Sequence, residues 1–240
     1  MPDLPSAAPV QVYALPPVWG VPNPSPFVIK LMTWLRMAGI PYEHRVLPGP
    51  PSSPTGKIPY VVLHDGTLLH DSELIIEALS RRFCVDLDSQ LGAQDLATGH
   101  LVRRTVEEHL YFAGLYERWI TDEGYAATSR DYFAAMPPLA RAVLPWVLRS
   151  RMRKYLHGQG LGRHPRPVIE AKARADVRAI SATLGEREYL FGGLSTVDAT
   201  VYGFLAAFMS HPFPSVVRDE AASHPNLVAY RDRVRDRFWP

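Results

Sequence analysis

Cysteine is almost absent: the 240 residues contain one, Cys84. A single thiol excludes an internal disulfide framework and a Cys-x-x-Cys redox pair, and it points to a cytoplasmic setting in which thiols stay reduced. Long apolar runs are missing too. No stretch approaches the roughly 20 residues of a spanning helix, and the opening "MPDLPSAAPVQVYALP" lacks the basic segment and apolar core of a secretory signal. Neither sign of charge dominates, because 26 basic residues stand against 24 acidic ones for a formal charge of +2. That balance argues against nucleic acid or an anionic membrane as the main partner. The nine histidines show no HExxH or paired ExxH spacing, so no metal is expected.

Proline is plentiful, with 23 residues, and in the N-terminal third it punctuates short elements. "VQVYAL" (10–15) alternates like a strand. After a proline-rich loop, "SPFVIKLMTWLRMAGIP" opens as a helix at Ser25-Pro26, with Phe27, Leu31, Trp34, Leu35 and Ala38 on one face and Lys30, Thr33 and Arg36 away from it. Gly39, Ile40 and Pro41 then stop it. "YEHRVL" (42–47) reads as a second strand, which completes a βαβ unit. Two short strands around Asp65-Gly66 (60–63 and 67–69) form a hairpin, followed by a helix capped by Asp71 or Ser72. From about Gln94 onward the periodicity is helical. "DLATGHLVRRTVEEHLYFAGLYERWI" is one long amphipathic segment, two or three helices span 129–156 and 167–184, and a last helix follows Pro225. "LSTVDATVYGFLAAF" is apolar nearly all round, and Ser195 with Asp198 gives it a capping box, so it is expected to be a buried central helix.

An α/β unit over 8–84 followed by an all-α unit over 94–240 resembles the glutathione S-transferase superfamily, with a thioredoxin-like N-terminal domain and a helical C-terminal domain. Three stretches carry the resemblance: "SPFVIKLMTWLRMAGIPYE", "GKIPYVVLHDGTLLHDSELIIEAL" and "LSTVDATVYGFL". "EEHLYFAGLYERW" and "QGLGRH" are similar to its failed-axon-connections and metaxin branch. The resemblance implies a protein that binds glutathione as co-substrate and activates its thiol for conjugation to a small hydrophobic electrophile. The alternative it admits is a non-catalytic binding or assembly protein that kept the fold. A homodimer is implied, with the first domain of one subunit on the second domain of the other; the cytoplasmic setting and the expectation of no insertion in a membrane rest instead on the single cysteine and the missing apolar run.

Ser25 falls where thiol-transfer relatives place a cysteine. Without a thiol it supports no mixed-disulfide cycle. Two compatible roles remain: a helix cap, and a hydroxyl that hydrogen-bonds the glutathione sulfur beside a helix N-terminus and so favours the thiolate. The resemblance assigns Lys57, Ile58 and Pro59, with a cis bond before Pro59, to the peptide backbone. It assigns Asp71 and Ser72 to the γ-glutamyl end, and places Tyr111 and Tyr116 nearest the second-substrate pocket. The short proline-heavy loop before Lys57 departs from the family, whose members usually have a helix there. "HGQGLGRH" reads as a turn between helices, since no strand precedes it as a phosphate loop requires. "RSRMRKY" (149–155) is basic, which suits a solvated helix face or a contact with acidic lipid or a partner.

Overall fold

The computed structural model describes residues 8–47 and 49–240. Residues 1–7, on which part of the signal-sequence reading falls, and Pro48 of the proline loop lie outside the described residues. Strand β1 (Val10–Ala14) buries every second side chain, so Val10, Val12 and Ala14 face the core. It runs parallel to β2 (Tyr42–Val46) and antiparallel to β3 (Tyr60–Val62), which pairs antiparallel with β4 (Leu68–His70). The sheet order is β2-β1-β3-β4, the thioredoxin-like arrangement expected. Gly66 takes φ 82° in the turn between β3 and β4, where a side chain would be strained.

Helix α1 (Pro26–Met37) ends as its sequence demands: Gly39 adopts φ 68°, and Ile40 N–H donates back to the Leu35 carbonyl. Its burial departs from the one-sided expectation. Lys30 is 1% exposed and Thr33 is fully buried, and among its residues only Arg36 is exposed. A second layer explains this: the sheet covers one side of α1, and helix α8 (Thr196–Met209) packs along the other. The approach is close enough that a Cβ on Gly203 of α8 would lie 2.7 Å from Lys30 N and 2.8 Å from the Pro26 carbonyl oxygen. Helix α2 (Ser72–Phe83) follows β4 and buries Ile75, Ile76 and Leu79 against the sheet.

The expected long helical segment is continuous: α3 (Ala93–Arg104), a π-helical stretch (Thr105–Leu110) and α4 (Tyr111–Trp119). Then come α5 (Asp122–Tyr132), α6 (Pro138–Gln159), a 3-10 turn at Leu161–Arg163 and α7 (Arg166–Leu184). The "QGLGRH" stretch is thus a connection between helices. Helix α8 is buried from Val197 to Phe208, and its capping box is built as read: Asp198 Oδ2 accepts from Ser195 N (2.8 Å) and Ser195 Oγ (2.7 Å). Asp198 Oδ1 also takes Leu190 N and the Tyr230 hydroxyl, each at 3.0 Å. A short helix the sequence reading lacks, α9 (Val216–Ala222), starts at Ser215, whose hydroxyl donates to the buried Glu117 carboxylate at 2.6 Å. Helix α10 (Pro225–Phe238) returns the chain to α1, where Trp239 Nε1 donates to Thr33 Oγ1 (3.1 Å) and the Arg36 guanidinium lies 4.0 Å from the Trp239 ring.

Candidate functional site

Strand register gathers the site at one end of the sheet. Tyr13 opposes Tyr60, and Tyr60 opposes His70. Pro59 before β3, Asp71 after β4 and the exit of β1 toward α1 therefore share an edge. Asn23, fully buried, pins the start of α1 to that edge: its Nδ2 donates to the Leu15 carbonyl (2.5 Å) and its Oδ1 accepts from Ser25 N (2.9 Å). The Ile58–Pro59 peptide bond is cis.

Ser25 sits at the N-cap position of α1 in extended backbone (φ −89°, ψ 120°), yet its side chain makes no capping hydrogen bond. The Ser25 carbonyl takes the N–H groups of Val28 and Ile29, and Pro26 has none to give, which leaves the N–H of Phe27 without a backbone acceptor among the described residues. Ser25 is therefore a cap by position, with its hydroxyl uncommitted among the described residues.

Helix α2 begins differently. Asp71 holds φ 68°, sparsely populated for a residue with a Cβ, and its Oδ1 accepts from Glu73 N (3.0 Å) and Leu74 N (3.4 Å). Its carbonyl accepts from Ile75 N. The carboxylate thus caps the helix and leaves the N–H of Ser72 as the first free donor. Two helix N-termini, each presenting a free N–H and a partial positive charge, suit an anionic ligand with two anionic ends.

The helical domain closes the other side. Tyr111, half-buried, packs edge-on against Phe27 (5.0 Å between centroids), and burial pushes its hydroxyl up to about 12, so it stays protonated. Lys57 reaches across to α6, donating to Tyr155 Oη at 3.4 Å, and Tyr155 in turn packs on Phe112. Arg118, 7% exposed, donates to the Pro24 carbonyl (3.0 Å) and brings a buried cation beside the start of α1. Its guanidinium also faces Trp19 and Tyr132, at 5.6 Å and 5.7 Å from the ring centroids. Tyr116 does not join this cleft. Five residues along one helix turn it about 140° from Tyr111, and it lines a separate cavity between α4, α6 and the start of α7.

The matches to known proteins agree with this fold. Residues 26–124 match the family model for the glutathione S-transferase N-terminal domain, and residues 173–234 match that for the C-terminal domain. The chain belongs to the glutathione S-transferase family. It is 34% identical over 236 residues to an isoprene-epoxide glutathione S-transferase of Rhodococcus sp. (strain AD45), covering 95% of this chain and 99% of that one. It is 26% identical to Metaxin-1 of Mus musculus, over 98% of this chain and 76% of that protein. Failed axon connections of Drosophila melanogaster is also 26% identical, over 92% of this chain and 56% of that protein. Among solved structures, glutathione transferase GSTFuA3 from Phanerochaete chrysosporium superposes with a TM-score of 0.67 at 12% identity, covering 98% of this chain and 99% of that one, which speaks for the fold alone.

Within this transferase fold, the positions that sequence reasoning missed are Asn23, Arg118 and Tyr155. Asn23 carried a usable signal, since asparagine ahead of Pro-Ser-Pro is a turn and cap residue. Arg118 and Tyr155 carried none, because their roles depend on which helix faces the first domain. Among the described residues, no group of three or more His, Cys, Asp or Glu side chains is placed to hold a metal.

Proposed function

We propose that the protein is a glutathione transferase that binds the tripeptide along the sheet edge and activates its thiol at Ser25. One observation carries this reading: among the described residues, the Ser25 hydroxyl and the Phe27 N–H both lack a partner at the start of α1. A thiolate placed there receives two hydrogen bonds and the helix's partial positive charge, all of which favour the ionised form. The buried Arg118 adds to the same field. The backbone of Ile58 before cis-Pro59 pairs with the cysteinyl residue, Lys57 lies toward the glycyl end, and Ser72 with Asp71 takes the γ-glutamyl end.

For the electrophile we propose a small epoxide, the class named for the Rhodococcus relative. The sulfur attacks a ring carbon, the carbon–oxygen bond breaks, and the resulting alkoxide takes a proton. The thiol's own proton leaves to solvent beforehand. Tyr111, protonated and beside Phe27, is the donor suited to the ring oxygen. Proximity and charge stabilisation supply the catalysis, with no covalent enzyme intermediate.

Isothermal titration with reduced glutathione tests this reading. Binding is expected, weakened by Ser72→Ala and nearly unchanged by Ser25→Ala; no heat at millimolar ligand overturns it. Two observations favour a non-catalytic binding protein instead: Lys57 is engaged by Tyr155 across the cleft, and the metaxin relatives match nearly the whole chain. That reading predicts a folded protein that ignores glutathione.

A further inference from the structure

Helix α6 is unlike the other helices in what it shows to solvent. Its residues Pro138–Gln159 include Arg141, Arg149, Arg151, Arg153 and Lys154 and no Asp or Glu. Pro145 and Leu156 are its buried residues, and Arg149, largely covered, donates to the Ile120 carbonyl and to the exposed Asp122, each at 2.7 Å. The opposite face carries Leu139, Val143, Trp146 and Val147 at helical spacing. These are 78%, 48%, 69% and 43% exposed, an unusual amount of apolar side chain to leave in water. One turn further the same face becomes Ser150 and Lys154, with Arg151 beside them. Arg141, Arg151, Arg153 and Lys154 form no salt bridge with any described residue.

The basic end borders a cavity of about 620 Å³ whose lining includes Arg153, Lys154, His157, His164 and Arg166 together with apolar groups such as Ile120 and Leu156. Among the described residues, only Arg166 of these has a carboxylate partner, Glu170. Its lining includes neither Ser25 nor Tyr111, and Tyr116 stands about 140° around α4 from Tyr111, so the cavity is separate from the cleft described above.

We propose that the outward face of α6 docks the protein on an anionic phospholipid surface, with its apolar half against the acyl boundary and a headgroup phosphate in the basic cavity. Charge complementarity selects this occupant. A helix with cations, no carboxylate and an exposed tryptophan matches the anionic, amphipathic interface of a bilayer. A second copy would bring the same unpaired cations face to face. Docking of this kind needs no spanning segment, and no helix among the described residues is long and apolar enough to cross a membrane. The near-neutral whole-chain charge hides this local excess, which is why composition argued the other way.

The test is co-sedimentation of the full chain with phosphatidylglycerol–phosphatidylcholine vesicles and with pure phosphatidylcholine vesicles. Partition at least about tenfold higher on the anionic vesicles is expected, falling steeply as salt is raised. Arg151→Glu with Lys154→Glu should abolish the preference, and Val143→Ser with Trp146→Ser should lower binding while the thermal midpoint stays unchanged. Quenching of tryptophan fluorescence in the unmodified chain by brominated lipid is expected as well. Equal partition on both vesicles, or no quenching, overturns the proposal. So does a dimer that Trp146→Ser dissociates in the absence of vesicle binding, which would assign the face to a second copy. Binding of polyglutamate with vesicles ignored would likewise overturn it in favour of an acidic protein.

Discussion

Lys30 Nζ and Glu107 Oε1 meet at 2.6 Å with side chains 1% and 5% exposed, an ion pair sealed between α1 of the thioredoxin-like domain and the π-helical stretch of the helical domain. Two charges taken out of water hold the layers in register only while both are present. Glu107→Leu or Lys30→Met alone leaves a buried charge without a partner and is expected to cost about 3–5 kcal/mol in urea unfolding. The double replacement should recover most of that loss. Additive losses in the double variant would show that the pair is not coupled.

His211 gives the fold a defined acid sensitivity. It is 2% exposed, and its Nε2 lies 2.9 Å from Arg118 Nη2. An arginine only donates, so Nε2 is the acceptor and the ring proton sits on Nδ1. Burial, reinforced by the charges of Arg118 and Arg218, pushes this imidazole well below its ordinary value of 6.5. The unfolded chain therefore takes up a proton that the folded chain excludes. The sign follows: stability is full above about pH 6.5 and falls below it, by up to about 1.4 kcal/mol per pH unit. Melting midpoints measured across that range should drop on acidification, and His211→Gln should flatten the drop.

Gly203 marks where α8 presses on the start of α1. A methyl group there has no room beside Lys30 N and the Pro26 carbonyl, so Gly203→Ala must push the helices apart. A loss of about 1–3 kcal/mol is expected. Because Pro26 follows Ser25, weaker glutathione binding should accompany it, read by titration calorimetry.

Asp198 serves four donors from inside the protein: Ser195 N and Oγ, Leu190 N and Tyr230 Oη. Asp198→Ala strands them, and denaturant unfolding should show a loss of at least about 3 kcal/mol. Asp198→Asn, which keeps the shape and part of the acceptor capacity, should lose less.

The sequence carried the order of elements well because local rules decided it: alternation for β1, the Gly39 stop for α1, the Asp65-Gly66 turn and the Ser195–Asp198 box are each set by neighbouring residues. What failed was what a second layer decides. Lys30 and Thr33 looked solvent-facing because a helix read alone has one apolar face, whereas α1 is covered on both sides. Tyr111 and Tyr116 looked like neighbours in one pocket, and the turn of α4 sends them to different sides. Helix α9 escaped notice because its seven residues are too short for periodicity, and its cap is completed by Glu117, about a hundred residues earlier.

The thiol pKa of bound glutathione tests Ser25 most directly. With the peptide bound, thiolate absorbance followed against pH should titrate below the ordinary thiol value of about 8.5. Ser25→Ala should raise that midpoint by roughly one unit, about the worth of one hydrogen bond to a charged group, while the peptide remains bound. A midpoint that Ser25→Ala leaves unmoved would contradict thiol activation at this hydroxyl.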